Sequence, residues 1–82
     1  MWFVYALYNS QKNKIYIGIT NNLNRRLIEH NEKRGNHYTA KIAGEWRMIY
    51  NEEVQNKSAA LKREKQLKSF RGREYIKTFI SR

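Results

Sequence analysis

Residues 14–31 read Lys14-Ile15-Tyr16-Ile17-Gly18-Ile19-Thr20-Asn21-Asn22-Leu23-Asn24-Arg25-Arg26-Leu27-Ile28-Glu29-His30-Asn31, and two periodicities meet in them. From Lys14 to Ile19 the pattern alternates. Ile15, Ile17 and Ile19 fall on one face and Tyr16 and Gly18 on the other, as in a strand with one buried side. Thr20, Asn21 and Asn22 then supply N-cap candidates, and the period becomes helical. Leu23 and Leu27 mark the buried face of that helix. Arg26 and His30, four apart, flank those leucines, while Arg25 points nearly opposite. The helix is expected to reach Lys33 or Arg34, with Gly35 as its C-terminal stop.

Working outward, Trp2–Tyr8 is aromatic and β-branched and reads as a strand. It joins the strand at 14–19 through polar turn residues 9–13, so the two form an antiparallel hairpin. A four-residue loop, Asn9–Lys12, pairs Tyr5 with Tyr16 directly; one residue more puts them on opposite faces unless a bulge intervenes. Asn36–Gly44 is a loop with room for one helical turn. Glu45–Val54 alternates Trp46, Met48 and Tyr50 against Arg47 and Ile49, a third strand. Asn56–Ser58 caps a helix over 58–70, Gly72 breaks or bends the chain, and a short last helix carries Tyr75, Ile76, Phe79 and Ile80 on one buried face. The expected fold is α+β, one domain over residues 1–82, with a small three-stranded antiparallel sheet flanked by helices in the order ββαβαα.

Seventeen Lys and Arg stand against seven acids, a formal net charge of +10 on 82 residues, and every acid is Glu. Such self-repulsion in a small domain points to a polyanionic partner, nucleic acid first. No segment approaches the ~18 apolar residues of a spanning helix, so no membrane role is expected. The eleven aromatics supply core area that a short chain otherwise lacks. Absence of Cys excludes disulfides and thiolate zinc and fits a reducing cytoplasm, where the chain is expected to act. The N-terminus shows no signal-peptide pattern.

Glu64 is the residue most at odds with its surroundings. In 58–70 the apolar stripe is Ala60, Leu61 and Leu67, and Glu64 falls in its middle although Lys62, Arg63 and Lys65 already supply solvated charge. A carboxylate turned toward a core needs a cation, a metal or hydrogen bonds, so the choice is between a salt bridge and a functional site. Gly18 within a strand marks a close approach. Arg26 and His30 place a guanidinium and an imidazole toward the sheet. Taken singly, each of these residues has an ordinary structural explanation.

Together they form a pattern. Tyr5, then Tyr16-Ile17-Gly18, then Arg26 and His30 at ten and fourteen past Tyr16, then a helical Glu64, resembles the GIY-YIG nuclease superfamily. The first motif is degenerate, reading Phe3-Val4-Tyr5, and the second is intact. Residues 16–31, Tyr38-Thr39, and Ser58-Ala59-Ala60-Leu61-Lys62-Arg63-Glu64 with Leu67-Lys68 resemble the small stand-alone bacterial branch, so the likeness covers almost the whole chain. Two places depart from relatives: Ile19 stands where some repair-type members carry Lys, and no Asn follows Asn56.

The resemblance implies an endonuclease that hydrolyses phosphodiester bonds in DNA, structure- or strand-selective, with roles in repair or recombination. Its implied catalytic set is Tyr5, Tyr16, Arg26, His30 and Glu64. Glu64 would hold one Mg²⁺ or Mn²⁺, which takes oxygen ligands and keeps waters. Arg26 would brace the phosphate, Tyr16 or Tyr5 would orient or deprotonate the attacking water, and His30 would assist proton transfer or contact phosphate. Gly18, Tyr38, Lys41 and Lys68 are the further nucleic-acid-binding candidates. The expected partner is single-stranded, nicked or branched DNA, with RNA open and a monomer favoured. The alternative is a non-catalytic basic nucleic-acid-binding module on the same fold.

Overall fold

In the computed structural model of the chain, which describes residues 1–33 and 41–80, the isoleucine alternation settles the central hairpin. Strand β1 spans Trp2–Asn9 and β2 spans Lys14–Thr20. They pair antiparallel, and Ile15, Ile17 and Ile19 all face one side. The tight turn is Ser10–Asn13, with Asn13 in the left-handed region (φ 53°) that Asn tolerates. The register therefore differs from a direct Tyr5–Tyr16 pairing: Tyr5 lies opposite Gly18, and Tyr16 opposite Leu7. The two tyrosines still share a face, one diagonal step apart. Asn9, expected in the turn, instead ends β1 fully buried. Its Nδ2 donates to the Ala43 carbonyl (2.9 Å) and its Oδ1 accepts from the Lys12 amide (3.0 Å), so both polar ends are satisfied.

Helix α1 spans Leu23–Asn31, with the Asn22 side chain accepting from the Arg25 amide at 3.0 Å. It ends short of the expected Lys33, where Asn31 ties the helix end to the next strand. The Asn31 side chain donates to the Trp46 carbonyl (2.8 Å) and accepts from the Trp46 amide (2.7 Å), at the start of strand β3, Arg47–Val54.

The sheet order is β2-β1-β3, all antiparallel. A bulge in β3 corrects the expected alternation of Trp46, Met48 and Tyr50. Ala6 lies opposite Tyr50 and Leu7 opposite Met48, so Ile49 is the extra residue. Trp46 and Met48 stay with Tyr5 and Leu7 on one face, while Tyr50 crosses to the face of Val4 and Ala6.

That second face carries helices α2 (Lys57–Lys68) and α3 (Phe70–Lys77), each capped by a side-chain oxygen, from Asn56 and Ser69. Ala60, Leu67 and Ile76 pack fully buried on Val4, Ala6 and Ile17. Each large apolar side chain so buried is worth about 1.5–3 kcal/mol. Leu61, expected in the buried stripe, is 49% exposed, and the residue that joins Leu67 in the core is Ile76 from α3. Gly72, expected to break the chain, sits inside the first turn of α3. A Cβ there would lie 2.3 Å from the Gln66 carbonyl oxygen, so its bareness lets α3 fold back on the end of α2. The break is at Ser69. The last apolar group likewise divides: Ile76 is buried, while Tyr75 and Phe79 stay partly exposed and pack around Tyr50 with ring centres 5.0–5.8 Å apart.

Candidate active site

The first face of the sheet, under α1, gathers four of the five expected catalytic residues. Tyr5 on β1, Tyr16 on β2 and His30 on α1 form a triangle of rings, with centroids 5.0 Å (Tyr16–His30), 5.9 Å (Tyr5–His30) and 6.2 Å (Tyr5–Tyr16). The Tyr5 hydroxyl is hydrogen-bonded to His30 Nε2 at 2.9 Å. Arg26 and Tyr16 both act electrostatically on that hydroxyl. Residue type and face mark both ends of the Tyr5–His30 contact in the sequence, but not the contact itself.

Gly18 explains why the rings can crowd so closely. A Cβ at this position would sit 2.9 Å from the Tyr5 hydroxyl and 2.9 Å from a ring carbon of Tyr16. The close approach expected at Gly18 is thus that of two tyrosine side chains. Gly18→Ala is expected to lower stability by about 1–3 kcal/mol through overpacking, because the Tyr5 hydroxyl it strikes is buried and tied to His30. Thermal melting checks this, at about 4–8 °C per kcal/mol for a domain of this size; an unchanged melting temperature would mean that the tyrosines move aside freely.

Burial divides the residues into two sets. Tyr5 and His30 are each 1% exposed, closed to direct contact with a phosphate. Burial pushes the Tyr5 hydroxyl well above the ordinary tyrosine range, against the pull of Arg26, so it keeps its proton at neutral pH. Tyr16 and Arg26 are part-exposed. Arg26 donates to Glu29 Oε1 (3.1 Å); burial opposes its charge, but its interactions with Tyr5 and Glu29 outweigh that and hold the guanidinium above its usual value.

Glu64, the fifth expected catalytic residue, is not brought to that face. Its helix, α2, packs on the opposite face of the sheet. Since β2 is an edge strand, groups from both faces can approach across its open side. The Glu64 side chain is 20% exposed and its Oε2 lies 3.2 Å from Lys68 Nζ. Lys68 in turn lines, with Tyr16, a groove along the β2 edge. Among the described residues no three His, Cys, Asp or Glu come together. A single part-exposed carboxylate still fits Mg²⁺ or Mn²⁺, which needs few protein ligands and fills its other positions with water and phosphate oxygens. Lys41 is exposed, and Tyr38 lies outside the described residues.

A profile of the GIY-YIG catalytic domain matches residues 1–76. The chain belongs to the GIY-YIG family. This is a family of nuclease domains, whose members generally use a divalent metal and act on nucleic acid. The chain is similar to a UPF0213 protein of Staphylococcus epidermidis, 35% identical over 75 residues, covering 92% of this chain and 89% of that one. It is also similar to a UPF0213 protein of Desulfotalea psychrophila, 38% identical over 80 residues, covering 93% and 71%. The solution NMR structure of a UPF0213 protein from Bacillus halodurans shares the fold at a TM-score of 0.55 and 26% identity, covering 98% of this chain and 86% of that one. Among the described residues no helix is long and apolar enough to cross a membrane.

Proposed function

We propose that residues 1–82 act as one GIY-YIG endonuclease unit, a monomer that hydrolyses phosphodiester bonds in single-stranded, nicked or branched DNA during repair or recombination. A chain without Cys accords with cytoplasmic work. The observation that carries the reading is the buried 2.9 Å Tyr5–His30 bond, with the Arg26 charge acting on the same hydroxyl, beside part-exposed Tyr16. So costly an arrangement of polar groups prepares the two outer side chains for a task.

In this reading Arg26 clasps two non-bridging phosphate oxygens with its planar fork and stabilises the charge that grows there. Tyr16 orients the attacking water in line with the leaving oxygen. Tyr5, always protonated, holds Arg26 and Tyr16 in place, and His30 is a positioning residue that acts through Tyr5. Glu64 would hold Mg²⁺ or Mn²⁺, which would supply charge neutralisation and Lewis-acid assistance at the phosphate.

A non-catalytic nucleic-acid-binding module is the second reading. It draws on the Lys68–Glu64 pair, which satisfies the carboxylate without any metal. Incubating the purified protein with labelled single-stranded, nicked and branched DNA, and with RNA, in Mg²⁺, Mn²⁺ or EDTA decides between them. We expect cleavage of a DNA substrate only with metal; binding without cleavage in every metal would favour the module.

A further inference from the structure

Beside Tyr16 the open edge of β2 and helix α3 enclose a groove of about 760 Å³. Its cations come from three separate elements: Lys14 on β2, Lys68 at the end of α2, and Arg73 and Lys77 on α3. Lysines alone commonly blunt an edge strand against aggregation. That role explains Lys14 but not the three cations that approach it from the helices. Arg73 is fixed in place, its Nε donating to the Lys68 carbonyl at 3.3 Å. Lys77 lies 3.1 Å from Glu74, but both side chains are more than half exposed, so the pair is weak and the ammonium is free to turn to a stronger anion.

We infer that this groove is a track for one nucleic-acid strand, with Lys14, Arg73 and Lys77 gripping the phosphates that flank the one held at Arg26. The inference rests on the nuclease reading for the position of that phosphate, but not for the binding itself. Cations on the walls, drawn from a strand edge and two helices, give an unpaired strand a backbone path. A cleft between a strand edge and a helix admits one backbone, so the groove selects single strands or frayed ends over intact duplex.

The test is binding in EDTA, where no cleavage occurs, so that failure of the nuclease reading leaves it intact. The triple variant Lys14→Gln/Arg73→Gln/Lys77→Gln is compared with Lys57→Gln/Lys62→Gln/Lys65→Gln, which removes the same charge from positions on α2 that do not line the groove. Fluorescence anisotropy follows a labelled oligothymidylate and a hairpin duplex across a salt series. The groove variant should lose about tenfold or more in single-strand affinity, and its log–log salt slope should flatten by about 2, from about 0.7 per lost phosphate contact. The control variant should lose much less, and duplex binding should change less than single-strand binding. Equal losses in the two variants would overturn the groove; equal losses on strand and duplex would overturn its selectivity. Should the groove variant melt early, amide shift mapping on the unaltered protein tests the same point. The largest shifts with oligothymidylate belong at Lys14, Tyr16, Arg73 and Lys77, and a map centred on β3 would refute the track.

Discussion

Glu64→Gln is expected to fold as the parent does, to bind DNA equally well in EDTA, and to lose metal-dependent cleavage by on the order of 10³-fold. A bound divalent cation contributes several kcal/mol of charge stabilisation in the transition state, and each 1.36 kcal/mol is a factor of ten. Gln keeps the shape and the hydrogen-bonding capacity of Glu but not the charge that holds the cation. Stability should barely respond, because the partner of Glu64 is Lys68 one helical turn on, with side chains 20% and 47% exposed. Pairs of that kind are worth about 0.3–0.5 kcal/mol, whereas breaking a buried pair costs about 3–5 kcal/mol. Thermal melting without metal and cleavage with Mg²⁺, measured on the same variant, separate the two possibilities. A large fall in melting temperature with cleavage retained would make Glu64 a structural residue and remove most of the case for catalysis.

The fold is legible in the sequence wherever one short-range signal settles the matter. The alternation of Ile15, Ile17 and Ile19 sets the buried face of β2, and Asn22 and Asn56 cap the helices they are expected to cap. The sequence misleads where the deciding contact is long-range. The bulge at Ile49 is invisible because Trp46, Met48 and Tyr50 are all bulky, so the alternation reads as unbroken although the chain changes face. Leu61 and Ile76 both read as buried in the sequence, and the fold buries Ile76 while leaving Leu61 exposed. Gly72 looks the same in sequence whether it ends a helix or lets two helices touch.

The candidate site divides in the same way. Tyr5, Tyr16, Arg26 and His30 are each marked by residue type and face, and the fold brings them under one helix. Which of them face solvent depends on the register, which differs from a direct Tyr5–Tyr16 pairing. Arg73 and Lys77 do not stand out, because cations on a solvated helix face carry no mark that separates a binding track from ordinary solubility. The Tyr5–His30 pair shows why the buried half of such a site matters. Both residues are closed to direct contact with a phosphate, and the Arg26 charge acts on the Tyr5 hydroxyl.

Arg26→Lys gives the second large effect, and it tests whether geometry or charge is at work. Lys preserves the positive charge, so DNA affinity in EDTA should fall by no more than about twofold. It cannot reproduce the fork that bonds Glu29 at 3.1 Å while still offering donors outward. If Arg26 grips the phosphoryl oxygens as charge develops, cleavage should drop by on the order of 10²–10³-fold, the range for removing one fixed donor to a developing oxyanion. The loss should appear in kcat with KM nearly unchanged, because the interaction is made in the transition state rather than in the bound ground state. Arg26→Ala should show the same catalytic loss plus a stability cost of about 1–3 kcal/mol, since it strips a partner from the buried Tyr5 hydroxyl. A lysine variant that cleaves within a few-fold of the parent would reduce Arg26 to one more cation on a basic surface. Tyr5 and His30 would then have no arginine to hold, and their buried hydrogen bond would be a feature of the fold alone.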